Sequence, residues 1–174
     1  GNIREFLSED GIPSSKAIVE GANLYLTPRG RRALEERDVL IVKDSSSNKG
    51  GVICSSFEIL SNLCLEEEEF LKEKPHLVQE TLDMIAQKAG DEAELLLSTH
   101  QQSGGFLTDI SEEISRAINH YNSRFLEYLE DKDLSPDLED PLNQLLLAHC
   151  LPTIRKKYPK RVITRIPSVH KKAI

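Results

Sequence analysis

Asp44-Ser45-Ser46-Ser47-Asn48-Lys49-Gly50-Gly51-Val52-Ile53-Cys54-Ser55-Ser56-Phe57-Glu58 is a polar stretch that narrows to two glycines and opens straight into an apolar helical pattern. Immediately before it, Val39-Leu40-Ile41-Val42 is a β-branched run of the kind that forms a buried parallel strand, so the polar stretch leaves that strand's carboxyl end. Open α/β sheets bind ligands at that edge. Paired glycines admit close approach of a ligand or a positive φ, and a helix starting near Val52 aims free N–H groups at anything anionic. Toward the N-terminus, Lys16 to Ala22 reads as an earlier strand and Asn23 to Leu26 as a turn. Thr27-Pro28 reads as a helix start, with Thr as N-cap and Pro in the first helical position. The charged segment from Arg31 to Arg37 is then a crossover helix, and the whole is one parallel βαβ unit, preceded by a Ser-rich connection from Gly1 to Lys16.

Beyond the glycines the pattern is helical throughout. Val52 to Leu65 forms one helix, and Glu66 to Lys74 an acidic turn or helix that Pro75 ends. Val78, Leu82, Ile85, Ala89, Ala93 and Leu96 then recur at three-four spacing, an apolar face that needs a cover. Ser103-Gly104-Gly105 breaks this helix. Asp109 and Glu112 can form a capping box for the next, whose stripe is Ile110, Ile114, Ala117, Tyr121, Phe125 and Tyr128, and the two stripes can bury each other. Asp131 to Asp140 is an acidic linker, Pro141 opens a helix through Leu142, Leu145, Leu146 and His149, and Pro152, Pro159 and Pro167 divide the remaining residues into short pieces.

Two of these segments taken together resemble the nucleotide-binding domain of the glutamate/leucine/phenylalanine/valine dehydrogenase family. They are Ile18-Val19-Glu20-Gly21-Ala22-Asn23 at the end of the first strand and Asn48-Lys49-Gly50-Gly51-Val52 after the second, with Ser55 and Glu58 at the family's offsets. Lys49 departs from the family's usual alanine. The likeness is greatest to the large NAD-specific glutamate dehydrogenases, and its motifs cover the first third of the chain. It implies that Asn23, Asn48, Gly50 and Gly51 lie at the nicotinamide end of NAD, and that Val52 and Ser55 line the amino-acid pocket. Position alone leaves both asparagines open to a plain turn-forming role. Ser55 stands where relatives acting on apolar amino acids carry an apolar residue, which implies glutamate over leucine, valine or phenylalanine. The family's phosphate fingerprint, its catalytic lysine and aspartate, and the strand end that separates NAD from NADP are expected upstream of Gly1. The choice of NAD therefore rests on the resemblance, and no catalytic residue is expected in this chain.

Composition bounds the alternatives. At 174 residues and 39% hydrophobic the chain can bury a core. No apolar run approaches the roughly 20 residues that span a bilayer, and no signal-peptide pattern opens the chain, which predicts a soluble, cytoplasmic protein with no membrane partner. The formal charge of −7 is unevenly spread. Arg155, Lys156, Lys157, Lys160, Arg161, Arg165, Lys171 and Lys172 have no acids among them, which leaves 14 basic against 29 acidic residues in the first 154. An acidic body argues against nucleic acid as a ligand, and the basic tail, without interleaved aromatics, reads as a solvated or partner-contacting segment. Glu66-Glu67-Glu68-Glu69 reads as a solvated helix face. Cys54, Cys64 and Cys150 read as reduced thiols, with Cys54 a small buried hydrophobe and Glu58 a structural hydrogen-bonding group. The histidines, His76, His100, His120, His149 and His170, have no metal-ligand spacing, so no metal site is expected.

The expected fold is α/β but mostly α: a partial Rossmann-like βαβ unit within residues 1–65, the C-terminal part of a dinucleotide-binding domain, and then a helical region over 66–174 that packs as a bundle. The expected function is that of a piece of a longer, oligomeric NAD-dependent enzyme interconverting L-glutamate and 2-oxoglutarate, inactive on its own. From another class, a helical interaction module with no catalytic role competes with it.

Overall fold

A computed structural model describes residues 3–173. A 3-10 turn at Ile3–Phe6 leads into β1 (Ala17–Val19), α1 (Pro28–Glu35), β2 (Leu40–Val42), α2 (Asp44–Ser47), α3 (Gly50–Cys64) and α4 (Glu67–Ser103). Next come α5 (Leu107–Leu129), α6 (Pro141–His149), α7 (Pro152–Lys157), α8 (Pro159–Arg165) and α9 (Ser168–Ala173). The protein is mostly α with a small parallel sheet, as its sequence predicts. It divides into two compact units, Gly1–Lys49 with Lys88–Asn119, and Gly50–Gln87 with His120–Ile174.

In the first unit β1 and β2 pair in parallel, Ala17 opposite Leu40, Ile18 opposite Ile41 and Val19 opposite Val42. The ladder runs one bond further at each end, from Leu40 N–H to the Lys16 carbonyl and from Glu20 N–H to the Val42 carbonyl. Just past the last bond the Glu20 carboxylate is buried. Between the strands, Thr27 caps α1 by accepting a bond from Gly30 N–H at 3.1 Å, with Pro28 in the first turn. Leu26, Leu34, Val39 and Ile41 bury themselves with Ile3, Phe6, Leu7 and Ile18 against them, and Leu34 and Ile41 are wholly enclosed. A second cluster joins Leu96, Leu107 and Ile110 to Val42 and Ile114.

The helix α5 starts differently from the predicted capping box. Asp109 instead pairs with Arg32 at 2.6 Å, and Glu112 pairs with Lys43. The Glu35 side chain of α1 takes over the cap, accepting from Thr108 N–H at 3.1 Å and from the Thr108 hydroxyl at 2.7 Å. A tertiary carboxylate reaching the first turn of α5 satisfies an N–H that the local box would have served.

In the second unit Phe57, Leu60 and Cys64 of α3 meet Leu77 of α4 and Leu147, Ile154 and Val162 of the C-terminal helices. Here α4 passes straight through Pro75, against the predicted stop. The proline removes one backbone bond, but contacts grip the helix on both sides of it. Phe70 and Leu77 pack on the core, Glu73 pairs with Lys157, and Glu80 accepts from Thr153 N–H and hydroxyl. Within this unit Leu77 faces the core, while Val78 and Leu82 of the predicted stripe are half exposed, as are Phe125 and Tyr128 on α5. Proline does cut the tail as predicted, into α7, α8 and α9. The basic tail and the acidic run are not simply solvated: Arg161 pairs with Glu69 and Arg165 with Glu66. Among the described residues no helix is long and apolar enough to cross a membrane, and no group of side chains could hold a metal ion.

Candidate functional site

The two asparagines singled out from the sequence lie in the segments that follow the strands, Asn23 in the turn after β1 and Asn48 at the end of α2, and the fold joins them. Asn48 Nδ2–H donates to Asn23 Oδ1 at 2.8 Å, and both residues are exposed. Asn48 Oδ1 and Asn23 Nδ2 have no partner among the described residues, so the pair leaves one acceptor and one donor group unmet. A primary carboxamide has the complementary pair.

Beneath these amides lies a buried ionic network. Glu20 is 4% exposed, Arg31 5% and Asp44 8%. Glu20 accepts from Arg31 Nε at 2.8 Å, Leu26 N–H at 3.2 Å and Asp44 N–H at 3.3 Å. Asp44 accepts from Arg31 Nη2 at 3.1 Å, Ser45 N–H at 2.9 Å and Leu24 N–H at 2.8 Å. Burial pushes the Asp44 carboxyl up, but the Leu24 and Ser45 N–H groups and the charges of Arg31 and Lys43 outweigh it and leave it below the usual carboxylate range. Ser47 completes the link between the strand ends by donating to the Glu20 carbonyl at 2.6 Å. Lys49 is paired with Glu92 of α4.

In the second unit, Gly50 and Gly51 form the first turn of α3, two residues earlier than predicted, and neither takes a positive φ. Upstream, Asp44 to Ser47 is itself one helical turn, so the predicted long polar loop shrinks to Asn48 and Lys49. A side chain on Gly51 would meet nothing within 4 Å, and one on Gly50 only the Ile85 methyl at 3.9 Å. Packing therefore does not demand glycine here; the glycines keep space in front of the first turn of α3 open. Val52, 74% exposed, and Ser55 share a shallow cavity of about 310 Å³ with Ile59, Leu63 and His170. Among the described residues the Ser55 hydroxyl makes no hydrogen bond, leaving it available to a ligand.

Cys54 is exposed, not buried as predicted. It sits at the rim of an apolar groove of about 290 Å³ lined by Phe57, Phe70, Leu77, Leu82 and Leu151, because the one-face burial of α3 is carried by Phe57, Leu60 and Cys64. Cys64 and Cys150 are buried free thiols, which burial pushes up to about 11 and about 12. Glu58 is exposed. Sequence reasoning missed Glu20, Arg31 and Asp44 as a group. The one signal it had is positional: acids at the ends of both predicted strands, and an arginine on the crossover helix between them.

Comparison with known proteins assigns the chain to a family of dehydrogenases. The chain belongs to the Glutamate/Leucine/Phenylalanine/Valine dehydrogenase family, whose sequence profile matches residues 6–116. It is 31% identical over 182 residues to the NAD-specific glutamate dehydrogenase of Neurospora crassa, covering 97% of this chain and 17% of that protein. It is likewise 31% identical over 192 residues to the NAD-specific glutamate dehydrogenase of Saccharomyces cerevisiae, covering 99% of this chain and 17% of that protein. A shorter match, 43% identical over 63 residues, is to the NADP(+)-dependent glutamate dehydrogenase of Pyrobaculum calidifontis, covering 35% of this chain and 15% of that protein. The chain thus spans about a sixth of the length of the NAD-specific relatives. No solved structure matches it.

Proposed function

We propose that this chain is part of an NAD-dependent glutamate dehydrogenase, which oxidatively deaminates L-glutamate to 2-oxoglutarate and ammonia and runs in reverse. Residues 1–65 serve as the C-terminal part of its Rossmann-like dinucleotide-binding domain, and 66–174 as a helical region, within a homo-oligomer. The observation that carries the reading is the Asn23–Asn48 pair in the segments that follow the strands, with one acceptor and one donor group unmet. The residues present fit the nicotinamide: its carboxamide can donate to Asn48 Oδ1 and accept from Asn23 Nδ2, and the resemblance to the family adds Gly50 and Gly51 to the cofactor contacts. NAD, when bound, supplies the hydride acceptor.

Ser55 donates to the side-chain carboxylate of glutamate and Val52 gives that pocket an apolar wall, so the site prefers an acidic amino acid to an apolar one of similar length. None of these residues is the general acid or base. Hydrogen exchange of the full-length protein tests the reading. NAD should protect the backbone from Asn48 to Ser55, and added glutamate should extend the protection. A helical assembly module with no cofactor would show no NAD-dependent change in that segment.

A further inference from the structure

We infer that Glu20, Arg31 and Asp44 are positioning residues that set the Asn23–Asn48 amide pair for its ligand; this rests on reading that pair as the nicotinamide contact. Two carboxylates share one guanidinium in a nearly dry site, and four backbone N–H groups, those of Leu24, Leu26, Asp44 and Ser45, supply the remaining donors. For stability alone such a network has no advantage over apolar packing of the same volume. Its distinguishing property is direction, because each acceptor oxygen fixes a particular backbone group.

Asp44 is the pivot. Its side chain holds the N–H of Leu24, the residue directly after Asn23, at 2.8 Å, while its own carbonyl accepts from the Asn48 N–H at 2.9 Å. One residue therefore grips the backbone beside both amides. Leu24 sits at φ 56°, a left-handed conformation unfavourable for leucine, and the Asp44 bond restrains it there. Arg31 Nε and Nη2 bind Glu20 and Asp44 in turn, so the ends of β1 and β2 are locked through a side chain of the crossover helix. The planar fork of arginine spans two carboxylates in a way that a lysine ammonium does not.

The test compares Asp44→Asn and Arg31→Lys with the unchanged full-length protein, reading the side-chain amide resonances of Asn23 and Asn48 and the steady-state KM values. Asp44→Asn replaces one acceptor oxygen with a donor facing the Leu24 N–H or Arg31. Both variants should lose the hydrogen-bonded amide signature and raise KM for NAD about tenfold, with KM for glutamate changed less than twofold. A general structural defect would move both KM values together. An unchanged Asn23–Asn48 signature in either folded variant overturns the inference. Loss of that signature with an unaltered KM for NAD upholds the positioning role and overturns the nicotinamide reading instead. Should the variants not fold, exchange of the Leu24 and Leu26 N–H groups in the unchanged protein decides. Strong protection of both is expected, and rapid exchange at Leu24 overturns the inference.

Discussion

Arg161 on α8 grips both carboxylate oxygens of Glu69 on α4, with Nη1 to Oε2 at 2.5 Å and Nη2 to Oε1 at 3.0 Å. With Lys157 on Glu73 and Arg165 on Glu66, it turns the basic tail back onto the acidic start of α4. The hydrogen bond from Arg161, helped by the Glu66 N–H, holds the Glu69 carboxyl down from its ordinary 4.5 to about 2. A depressed carboxylate stabilises the fold above its unfolded value and loses that contribution as pH falls through its folded value. The docking of α8 on α4 should therefore weaken between pH 4.5 and about 2. About a third of each side chain is exposed, so salt should weaken the pair as well. Exchange of the α8 amides through an acid titration measures this, and Arg161→Gln should flatten the dependence over that range.

Glu35→Ala should destabilise the first unit. The carboxylate is buried and accepts both bonds from Thr108, so its removal strands a backbone N–H and a hydroxyl at the start of α5. Loss of a charged acceptor to a buried donor costs about 1.5–3 kcal/mol, which denaturant unfolding would register. Thr108→Ala should lose less, because the Glu35 carboxylate keeps the backbone N–H. Equal losses from the two would mean that the hydroxyl bond carries the contact.

Local signals and tertiary ones separate cleanly in this chain. Thr27-Pro28 and Pro141 open helices where the sequence places them, and the prolines at 152, 159 and 167 divide the tail as expected, since capping and a missing N–H are decided within a few residues. Pro75 misleads because the contacts that carry α4 through it come from residues more than seventy positions away, Thr153 and Lys157 among them. Glu35 misleads in the same way: nothing near Thr108 in sequence shows that a distant side chain will displace the Asp109–Glu112 box. Asn23 and Asn48 meet because the segments leaving the two paired strands run side by side, Asn48 being carried there by the one-turn helix α2 that the sequence reading took for loop. The network beneath them was not legible, because a lone Glu, Arg or Asp in sequence reads as a surface charge until its partners are brought together.

Ser55→Ala in the full-length protein should weaken glutamate binding by about 1.5–3 kcal/mol, a ten- to hundredfold effect, through loss of one hydrogen bond to a carboxylate. Exposure of Ser55 in the cavity beside Val52, with its hydroxyl uncommitted among the described residues, makes the change a local one. NADH affinity should barely move. Unchanged glutamate kinetics with weakened NADH binding would assign Ser55 to the cofactor.

The last expectation concerns the 174 residues expressed by themselves. Among the described residues β1 and β2 form a two-stranded sheet, and Val19 on β1 is 67% exposed. Unpaired strand edges template association with another copy, and a charge on the edge blocks it. The separate chain should be helix-rich and should self-associate with concentration, and Val19→Lys should shift sedimentation toward the monomer. It should not produce NADH from glutamate: the amides of Asn23 and Asn48, Gly50, Gly51, Val52 and the Ser55 hydroxyl include no group that titrates near neutral pH to move the proton. Glutamate-dependent NADH formation by the purified 174 residues, lowered by Ser55→Ala, would show that the acid and base lie within them and that these residues do more than bind.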